Sequence, residues 1–265
     1  MLTHLLARIS AGLPTSVKYK LTNLRGPYTS LMRFGQPKLQ VPTIAGSVNW
    51  EVDELTSQKF IRGTYEPYMQ NAFAKYIRPG FTVYDVGAHA GYHSLLCGLL
   101  VGPAGRVFAF EPHPHNRQSI QRQLDLNPGI NVTLMTYALS DTCSSVYLNS
   151  TQGPSQAYLA DDGNIAVEAK SIDYMVENES LPPPDVIKLD VEGHEEQVLR
   201  GALKTMKSYK PIVLCDYNDN QTLTMVTEVM GPLGYQITGE SLVTALPGSK
   251  YDGGNKNPGA NSEAR

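Results

Sequence analysis

The feature that most constrains this 265-residue chain is a strand-like run that ends in an aspartate and a glycine turn. Residues 81–96 read FTVYDVGAHAGYHSLL, in which β-branched and aromatic residues lead into Asp85. Gly87 and Gly91 then precede a segment with helical spacing of apolar residues. Because glycine leaves the main chain uncovered, a ligand can lie directly against such a turn. The run therefore predicts a strand, a ligand-binding turn and a helix, in that order.

Strand-like and helix-like segments alternate from this turn onwards. Strands are predicted at 82–86, 106–110, 132–137, 144–150, 166–173, 185–191 and 211–217, and helices at about 92–101, 115–127, 194–206 and 221–230. Two further short strands, 235–239 and 242–246, can close the sheet as a hairpin. Alternation of this kind implies right-handed crossovers and a parallel sheet with helices on both faces. The predicted fold class is therefore α/β, with a doubly wound, Rossmann-like sheet.

The remaining segments are arranged around this alternating region. Residues 1–60 show no sustained period and are predicted to form an N-terminal cap, followed by the main domain at 61–246. Within the domain, the polar loop 151–164 is expected near the mouth of a site. Residues 247–265, rich in Gly, Asn and charge, are predicted to be a disordered tail.

Composition limits the partners and the location that are expected. A formal net charge of −3 and the lack of a basic patch argue against a nucleic-acid partner. The three cysteines are odd in number and lack CxxC spacing, which is typical of reduced thiols in the cytosol. The run MLTHLLARISAGL is too short to span a bilayer. We therefore expect a cytoplasmic protein without an integral membrane segment; the sequence does not indicate an oligomeric state.

The spacing around the glycine turn restricts the nucleotide that can bind there. It is neither the GxGxxG pattern that grips a pyrophosphate nor the GxxxxGK[ST] phosphate loop. Glu111 ends the next strand, where a carboxylate can accept hydrogen bonds from both ribose hydroxyls. Asp85 can attract an ammonium, and Ser140 and Asp141 follow the third strand, where an adenine is expected. A ribose acceptor without a phosphate cradle favours S-adenosylmethionine as the cofactor.

Six segments within about residues 63–217 carry a family resemblance. They read GTYEPYMQNAFAKYIRPG, VYDVGAHAGYHS, VFAFEPHPHN, ALSD, SID and DVIKLDVEGHEEQVLRGA. Together they resemble the FkbM family of S-adenosylmethionine-dependent methyltransferases, and the last segment is the most specific. The resemblance implies a class I methyltransferase fold, whose mostly parallel seven-stranded sheet has an antiparallel last strand. It also implies O-methylation of a hydroxyl on a small molecule or glycan, chiefly a sugar or natural product.

The resemblance extends to the expected contacts with the cofactor. Besides Asp85, Glu111, Ser140 and Asp141, the residues expected to contact it are Gly87, Ala88, His89, Gly91, Pro112 and Asp190. The chain departs from the family pattern at two positions. His89 stands where the family usually has Asn, and Asp216 stands where Glu is common. The second departure puts the role of Asp216 in doubt.

Methyl transfer to a hydroxyl needs an aligned acceptor and a group that takes its proton. The candidates for this base are Asp190, Glu192, His194 and Asp216. Asp190 is favoured because its strand borders the point at which strand order reverses. Glu195 and Glu196 fall in the first turn of a helix and are expected to stabilise it. Lys188 is expected either to pair with a nearby acid or to be solvated.

No metal site is predicted. Acids at adjacent strand ends are compatible with Mg²⁺, which could orient a diol. His89 and His93 are four residues apart but lack the HExxH pattern of a zinc site. Ring nitrogens near the cofactor or in solvent are the favoured interpretation of these histidines.

Three other functions are weighed against a sugar or natural-product methyltransferase. An NAD-dependent oxidoreductase also needs a ribose acceptor, but the third glycine and a Tyr-x-x-x-Lys pattern are missing. A nucleic-acid methyltransferase would be expected to show an Asn/Asp-Pro-Pro-aromatic loop or a Pro-Cys nucleophile. A binding protein on a retired methyltransferase scaffold would be expected to have lost cofactor contacts, and none of the predicted ones is visibly broken.

Overall fold

The computed structural model describes residues 37–151, 153–154, 157–160, 162–216, 220–239 and 242–248. The strands are β1 Lys38–Thr43, β2 Gly46–Glu51, β3 Thr82–Val86, β4 Arg106–Phe110, β5 Val132–Met135, β6 Ala138–Leu139, β7 Ser144–Asn149, β8 Tyr158–Leu159, β9 Ile165–Lys170, β10 Val186–Leu189, β11 Ile212–Asp216, β12 Tyr235–Gly239 and β13 Leu242–Pro247. The helices are α1 Gln58–Arg62, α2 Pro67–Tyr76, α3 Tyr92–Val101, α4 Pro114–Leu126, α5 Ile172–Asn178, α6 Glu195–Arg200, α7 Leu203–Tyr209 and α8 Asn220–Met230, which a 3₁₀ turn at Gly231–Leu233 follows. Most of the predicted cap and most of the predicted tail lie outside the described residues.

The central sheet has seven strands in the order β12-β13-β11-β10-β3-β4-β5. Strands β10, β11, β3, β4 and β5 pair in parallel, whereas β13 pairs antiparallel with both β11 and β12. The prediction of a mostly parallel, seven-stranded sheet with an antiparallel last strand is confirmed. Strand order reverses between β3 and β10, so their carboxyl ends border the crevice in which such sheets bind ligands.

The central sheet is buried on both faces. Successive side chains of a strand point to opposite sides, and helices cover each side. Tyr84 and Leu189 belong to the cluster that packs against α5, α6, α7 and α8. Val83 and Val186 belong to the cluster on the other face, which packs against α2 and α3. The doubly wound arrangement expected from the alternating pattern is therefore present. None of the helices in the described part of the chain is long and apolar enough to cross a membrane.

The predicted helix at 194–206 is wrong in one respect, because two helices, α6 and α7, occupy this region. The break allows Gly201 to lie against β6, where a Cβ would overlap the main-chain oxygen of Ser140. The side chain of Asp173 then accepts from the N–H groups of Lys204 and Thr205 at 2.9 and 2.7 Å, which caps the start of α7. The cap comes from α5, so the local sequence could not reveal it.

A second sheet of four strands, in the order β6-β9-β7-β8, was not predicted as a unit. The strand predicted at 166–173 ends at Lys170, and Ser171 caps α5 by accepting from the Tyr174 N–H at 3.1 Å. Strand β8 lies inside the predicted polar loop and pairs with β7. The loop therefore contributes a strand to the edge of this sheet.

The residues from β1 to α1 pack onto α4. Asp53 is buried and accepts hydrogen bonds from Ser119 at 2.5 Å and from Arg122 at 2.8 Å. Burial would raise the pKa of Asp53, but these bonds and one from Thr56 hold it below its ordinary value overall. Trp50 packs edge-on against the ring of Tyr92 on α3. The division of the chain at residue 60 stays a prediction.

Candidate active site

The glycine turn after β3 is held by main-chain hydrogen bonds to β4. The N–H groups of Gly87 and Ala88 both donate to the Phe110 carbonyl oxygen at 3.1 Å. Gly87 has a φ of +79°, and a Cβ there would overlap the main-chain oxygen of Asp190. Any other residue at position 87 would therefore push β3 away from the end of β10, so glycine is required by packing as well as by conformation.

Glu111 follows β4 and secures the turn from the other side. Its two carboxylate oxygens accept main-chain N–H groups, from His89 at 2.8 Å and from His113 at 2.9 Å. Burial raises the pKa of Glu111 to about 7, although hydrogen bonds from His113, His89 and the Asn116 side chain oppose the rise. A carboxylate oxygen can accept more than one hydrogen bond, so Glu111 can still accept hydrogen bonds from a ligand.

A cavity of about 220 Å³ opens over the glycine turn. Its walls come from the carboxyl ends of β3, β4 and β10 and from strands of the second sheet, including Leu148 and Leu159. A smaller adjoining cavity of about 20 Å³ shares Tyr65, Gly87 and Asp190 with it. The cavity thus lies at the crevice that the strand order predicts.

Most of the predicted site residues border one of these two cavities. Those that line the main cavity are Gly87, His89, Glu111, Pro112, Asp190, Glu192 and His194. Ala88 lines the smaller one. Burial, together with the nearby Lys188 ammonium, lowers the pKa of His89. Burial likewise lowers the pKa of His194, although the nearby Asp141 and Glu195 oppose this.

Five predicted residues lie outside the described cavity walls, namely Asp85, Gly91, Ser140, Asp141 and Asp216. Ser140 Oγ lies 3.1 Å from Nε2 of His194, a cavity residue, and donates to Asp141 Oδ1 at 3.2 Å. Gly91 starts α3 and lies against Ile120. The cofactor contacts of Asp85, Gly91, Ser140 and Asp141 and the catalytic role of Asp216 stay predictions.

Asp85 forms a buried charge cluster with Lys188 beneath the glycine turn. Lys188 Nζ lies 3.2 Å from Asp85 Oδ1 and 3.4 Å from Asp190 Oδ2, and it donates to the Gly87 carbonyl oxygen at 2.8 Å. Ser94 donates to the other Asp85 oxygen at 2.5 Å. Burial alone would lower the pKa of Lys188, but the two carboxylates raise it overall. Lys188 therefore pairs with acids, which was one of the two expectations for it.

More carboxylates gather at the carboxyl ends of β10 and β11. Asp216 accepts a hydrogen bond from Tyr68 at 2.9 Å. Glu66, just before α2, has a φ of +40°, and its Oε2 lies 3.7 Å from His93 Nε2. Burial raises the pKa of Glu66, and the charges of Asp190 and Asp216 add to this effect. Asp190 and Asp216 thus lie close enough to Glu66 for their negative charges to raise its pKa.

The helix after β10, α6, starts with two acids, Glu195 and Glu196. Glu195 Oε1 accepts from the N–H groups of Val191 and Gly193, both at 3.3 Å. Glu196 pairs with Arg200 one turn later, at 2.7 Å. Glu195 and Glu196 thus lie in the first turn of α6, as expected, and their stabilising role stays a prediction. Glu192 has a φ of +51° and a pKa raised by burial and then by the nearby acids, of which Asp190 is the first.

Sequence reasoning missed several residues of the site. Tyr65 and Asn116 both line the main cavity, and Glu66 faces the acids beyond it. Tyr65 and Glu66 belong to the quoted motif GTYEPYM, whose polar residues could have been flagged. Asn116 lies five residues after Glu111, at the start of a helix, and no residue-type signal marked it.

Among the described residues, no group of three or more His, Cys, Asp or Glu side chains is arranged to hold a metal ion.

Comparison with known proteins identifies the family. The methyltransferase FkbM domain matches residues 85–243, and the chain belongs to this family. It is 29% identical over 134 residues to the hexuronic acid methyltransferase AglP of Haloferax volcanii, covering 50% of this chain and 54% of that protein. It is 23% identical over 164 residues to the 2-O-methyltransferase NoeI of Sinorhizobium fredii, covering 54% of this chain and 66% of that protein. The chain thus spans between half and two thirds of the length of these curated relatives.

Solved structures with related folds are more distant. A crystal structure of methyltransferase FkbM from Methylobacillus flagellatus matches with a TM-score of 0.47 and 18% identity, over 73% of this chain and 55% of that one. An S-adenosylmethionine-dependent O-methyltransferase from Thermotoga maritima matches with a TM-score of 0.49 and 12% identity, over 78% and 76%. At this level of similarity, neither structure adds to the assignment of a site or a substrate.

Proposed function

We propose that the protein is an S-adenosylmethionine-dependent O-methyltransferase that methylates a hydroxyl on a sugar, a glycan or a natural product. The single observation that carries the proposal is the cavity over the glycine turn, with the buried Glu111 carboxylate in its wall. Membership of the FkbM family supports it. The printed names of the two relatives, a hexuronic acid methyltransferase and a 2-O-methyltransferase, support a sugar hydroxyl as the acceptor.

The residues present fit this cofactor. Glu111 can accept ribose hydroxyls, and Asn116 offers a buried side-chain oxygen without a partner among the described residues. The uncovered main chain at Gly87 leaves room above the turn. When bound, S-adenosylmethionine supplies a methyl group on a positively charged sulfur. The acidic side chains near the end of β10 favour binding of that positive charge.

Asp190 is proposed as the base that takes the proton of the acceptor hydroxyl. It lines the cavity at the end of β10, and its Oδ2 lies 3.4 Å from the Lys188 ammonium. A carboxylate in this position can accept the proton of an acceptor hydroxyl that is bound in the cavity. Glu192, His194 and Asp216 stay alternative candidates for the same role.

Binding of S-adenosylhomocysteine tests the proposal against an NAD-dependent oxidoreductase. At a ligand concentration of 100 times Kd, we expect the ligand to stabilise the native state by about 2.7 kcal/mol and to raise Tm by roughly 5–10 °C. NAD at the same concentration should not raise Tm. A rise with NAD alone would contradict the proposal. Methyl transfer to a panel of glycosides, followed by mass spectrometry, then identifies the acceptor; no turnover on any of them would favour a non-catalytic binding protein.

The affinity for S-adenosylhomocysteine should increase with pH. Because the pKa of Glu111 is raised to about 7, a growing fraction of its side chain becomes a carboxylate between pH 6 and pH 8. The ribose hydroxyls donate to the carboxylate form, so Kd should fall by up to about tenfold over this range. Titration calorimetry at several pH values measures the change. Glu111→Gln should bind more weakly and independently of pH, whereas a pH-independent wild type would contradict this role for Glu111.

The location, the partners and the domain limits of the protein are predictions that rest on its sequence alone. A cytoplasmic location rests on cysteine usage, and the lack of a nucleic-acid partner rests on charge. We keep both as predictions, together with the limits of the domain at residues 61 and 246.

A further inference from the structure

A buried acceptor next to Glu111 has no donor within the described part of the protein. Asn116 lies in the first turn of α4, is 3% exposed and lines the main cavity. Its Oδ1 has no hydrogen-bond partner among the described residues. An unpaired carbonyl oxygen in such a place is costly unless a donor reaches it.

The orientation of the Asn116 amide is set by its nitrogen. Nδ2 donates to the Pro154 carbonyl oxygen at 3.1 Å. The same side chain lies near the Glu111 carboxylate and helps to lower the pKa of that group. Both partners accept hydrogen bonds, so the amide cannot turn over and place its oxygen against them. None of the described residues donates to the oxygen, which is therefore available to a donor on a ligand.

The cofactor would bring suitable donors to this wall of the cavity. Glu111 is expected to accept ribose hydroxyls, and Asn116 contacts the same carboxylate. We propose that Asn116 Oδ1 accepts a hydrogen bond from one of the two ribose hydroxyls, so that Glu111 and Asn116 together recognise the diol. This inference rests on the proposed function. It makes Asn116 a residue that selects a ribonucleoside over a deoxyribonucleoside.

Analogues of S-adenosylhomocysteine that lack the 2′- or the 3′-hydroxyl test the proposal. Their Kd values and that of S-adenosylhomocysteine are measured by titration calorimetry on wild type and on Asn116→Ala. In the wild type both analogues should bind more weakly than the parent. For each analogue, the Kd of the analogue is divided by the Kd of S-adenosylhomocysteine. In Asn116→Ala this ratio should fall by about three- to tenfold for one analogue, because the protein no longer offers the missing hydroxyl a partner. The ratio for the other analogue should be unchanged.

Asn127→Ala is the matched control, because Asn127 is a second buried asparagine at the far end of the same helix. It bonds to Asn49 and Gln123 away from the cavity, so its removal should lower Tm and leave both Kd ratios as in the wild type. If Asn116→Ala does not fold, as judged by thermal melting, Asn116→Ser takes its place with the same expectation.

Two results would overturn the role of Asn116. One is an Asn116 variant whose two Kd ratios equal those of the wild type. The other is a wild type that binds the deoxy analogues as tightly as the parent. A wild type that does not bind S-adenosylhomocysteine at all would instead refute the proposed function, and the inference about Asn116 would fail with it.

Discussion

Replacing Asp190 with asparagine should lower kcat for methyl transfer by about 10²–10⁴-fold, the usual contribution of a general base. Asparagine has nearly the same shape but cannot take up the proton of the acceptor. Folding should be preserved because Lys188 keeps its closer partner, Asp85, at 3.2 Å. The Kd for S-adenosylhomocysteine should change little, since Glu111 and the glycine turn remain. Steady-state kinetics on an identified acceptor, together with calorimetry, separates the two effects.

Glu192→Gln and Asp216→Asn are the matched controls for this prediction. Each removes a carboxylate from the same end of the sheet, and each should reduce kcat far less than Asp190→Asn. A kcat in Asp190→Asn within about threefold of the wild type would exclude Asp190 as the base. A large loss in one control alone would assign the role to that residue instead.

Replacing Lys188 with methionine should destabilise the protein by about 3–5 kcal/mol, because one partner of a buried ion pair is removed. Asp85 is fully buried and Lys188 is 2% exposed, so the Asp85 carboxylate would be left without its counter-charge. The loss of hydrogen bonds to the Gly87 and Val86 carbonyl oxygens adds to the effect. Tm should fall by roughly 6–20 °C, as measured by differential scanning calorimetry.

The double variant Lys188→Met with Asp85→Asn serves as the control for this stability prediction. With neither charge buried, it should regain much of the Tm that the single variant loses. A single variant that melts within about 2 °C of the wild type would show that Lys188 does not neutralise Asp85. Equal losses in the single and double variants would show that packing, and not charge, sets the cost.

The parts of the fold that depend on local pattern could be predicted from the sequence. Strands β3 and β4 and helix α3 have the predicted bounds, since each is a mostly apolar run with clear glycine, proline or charged residues near its ends. The antiparallel last strand, β13, followed from the family resemblance. The break between α6 and α7 could not be predicted, because the cap that Asp173 provides comes from 31 residues away.

The candidate site could be predicted where the chemistry of a residue type is sufficient. Glu111 after β4 is such a case, because it was expected at a ligand site and it lies buried in the cavity wall. Asp85 is less simple. It was expected to attract an ammonium, and the fold directs the Lys188 ammonium onto it from β10, a contact that the local sequence does not reveal. Asn116 was missed because its unpaired oxygen results from a contact with Pro154, which only the three-dimensional structure reveals.

A crystal structure of the protein with S-adenosylhomocysteine tests the central claim most directly. The account predicts that the ribose lies against Glu111, with the main chain of Gly87 beneath the ligand and its sulfur directed towards Asp190. Electron density that places the ribose away from Glu111, or that places a phosphate-bearing ligand over Gly87 instead, would contradict it.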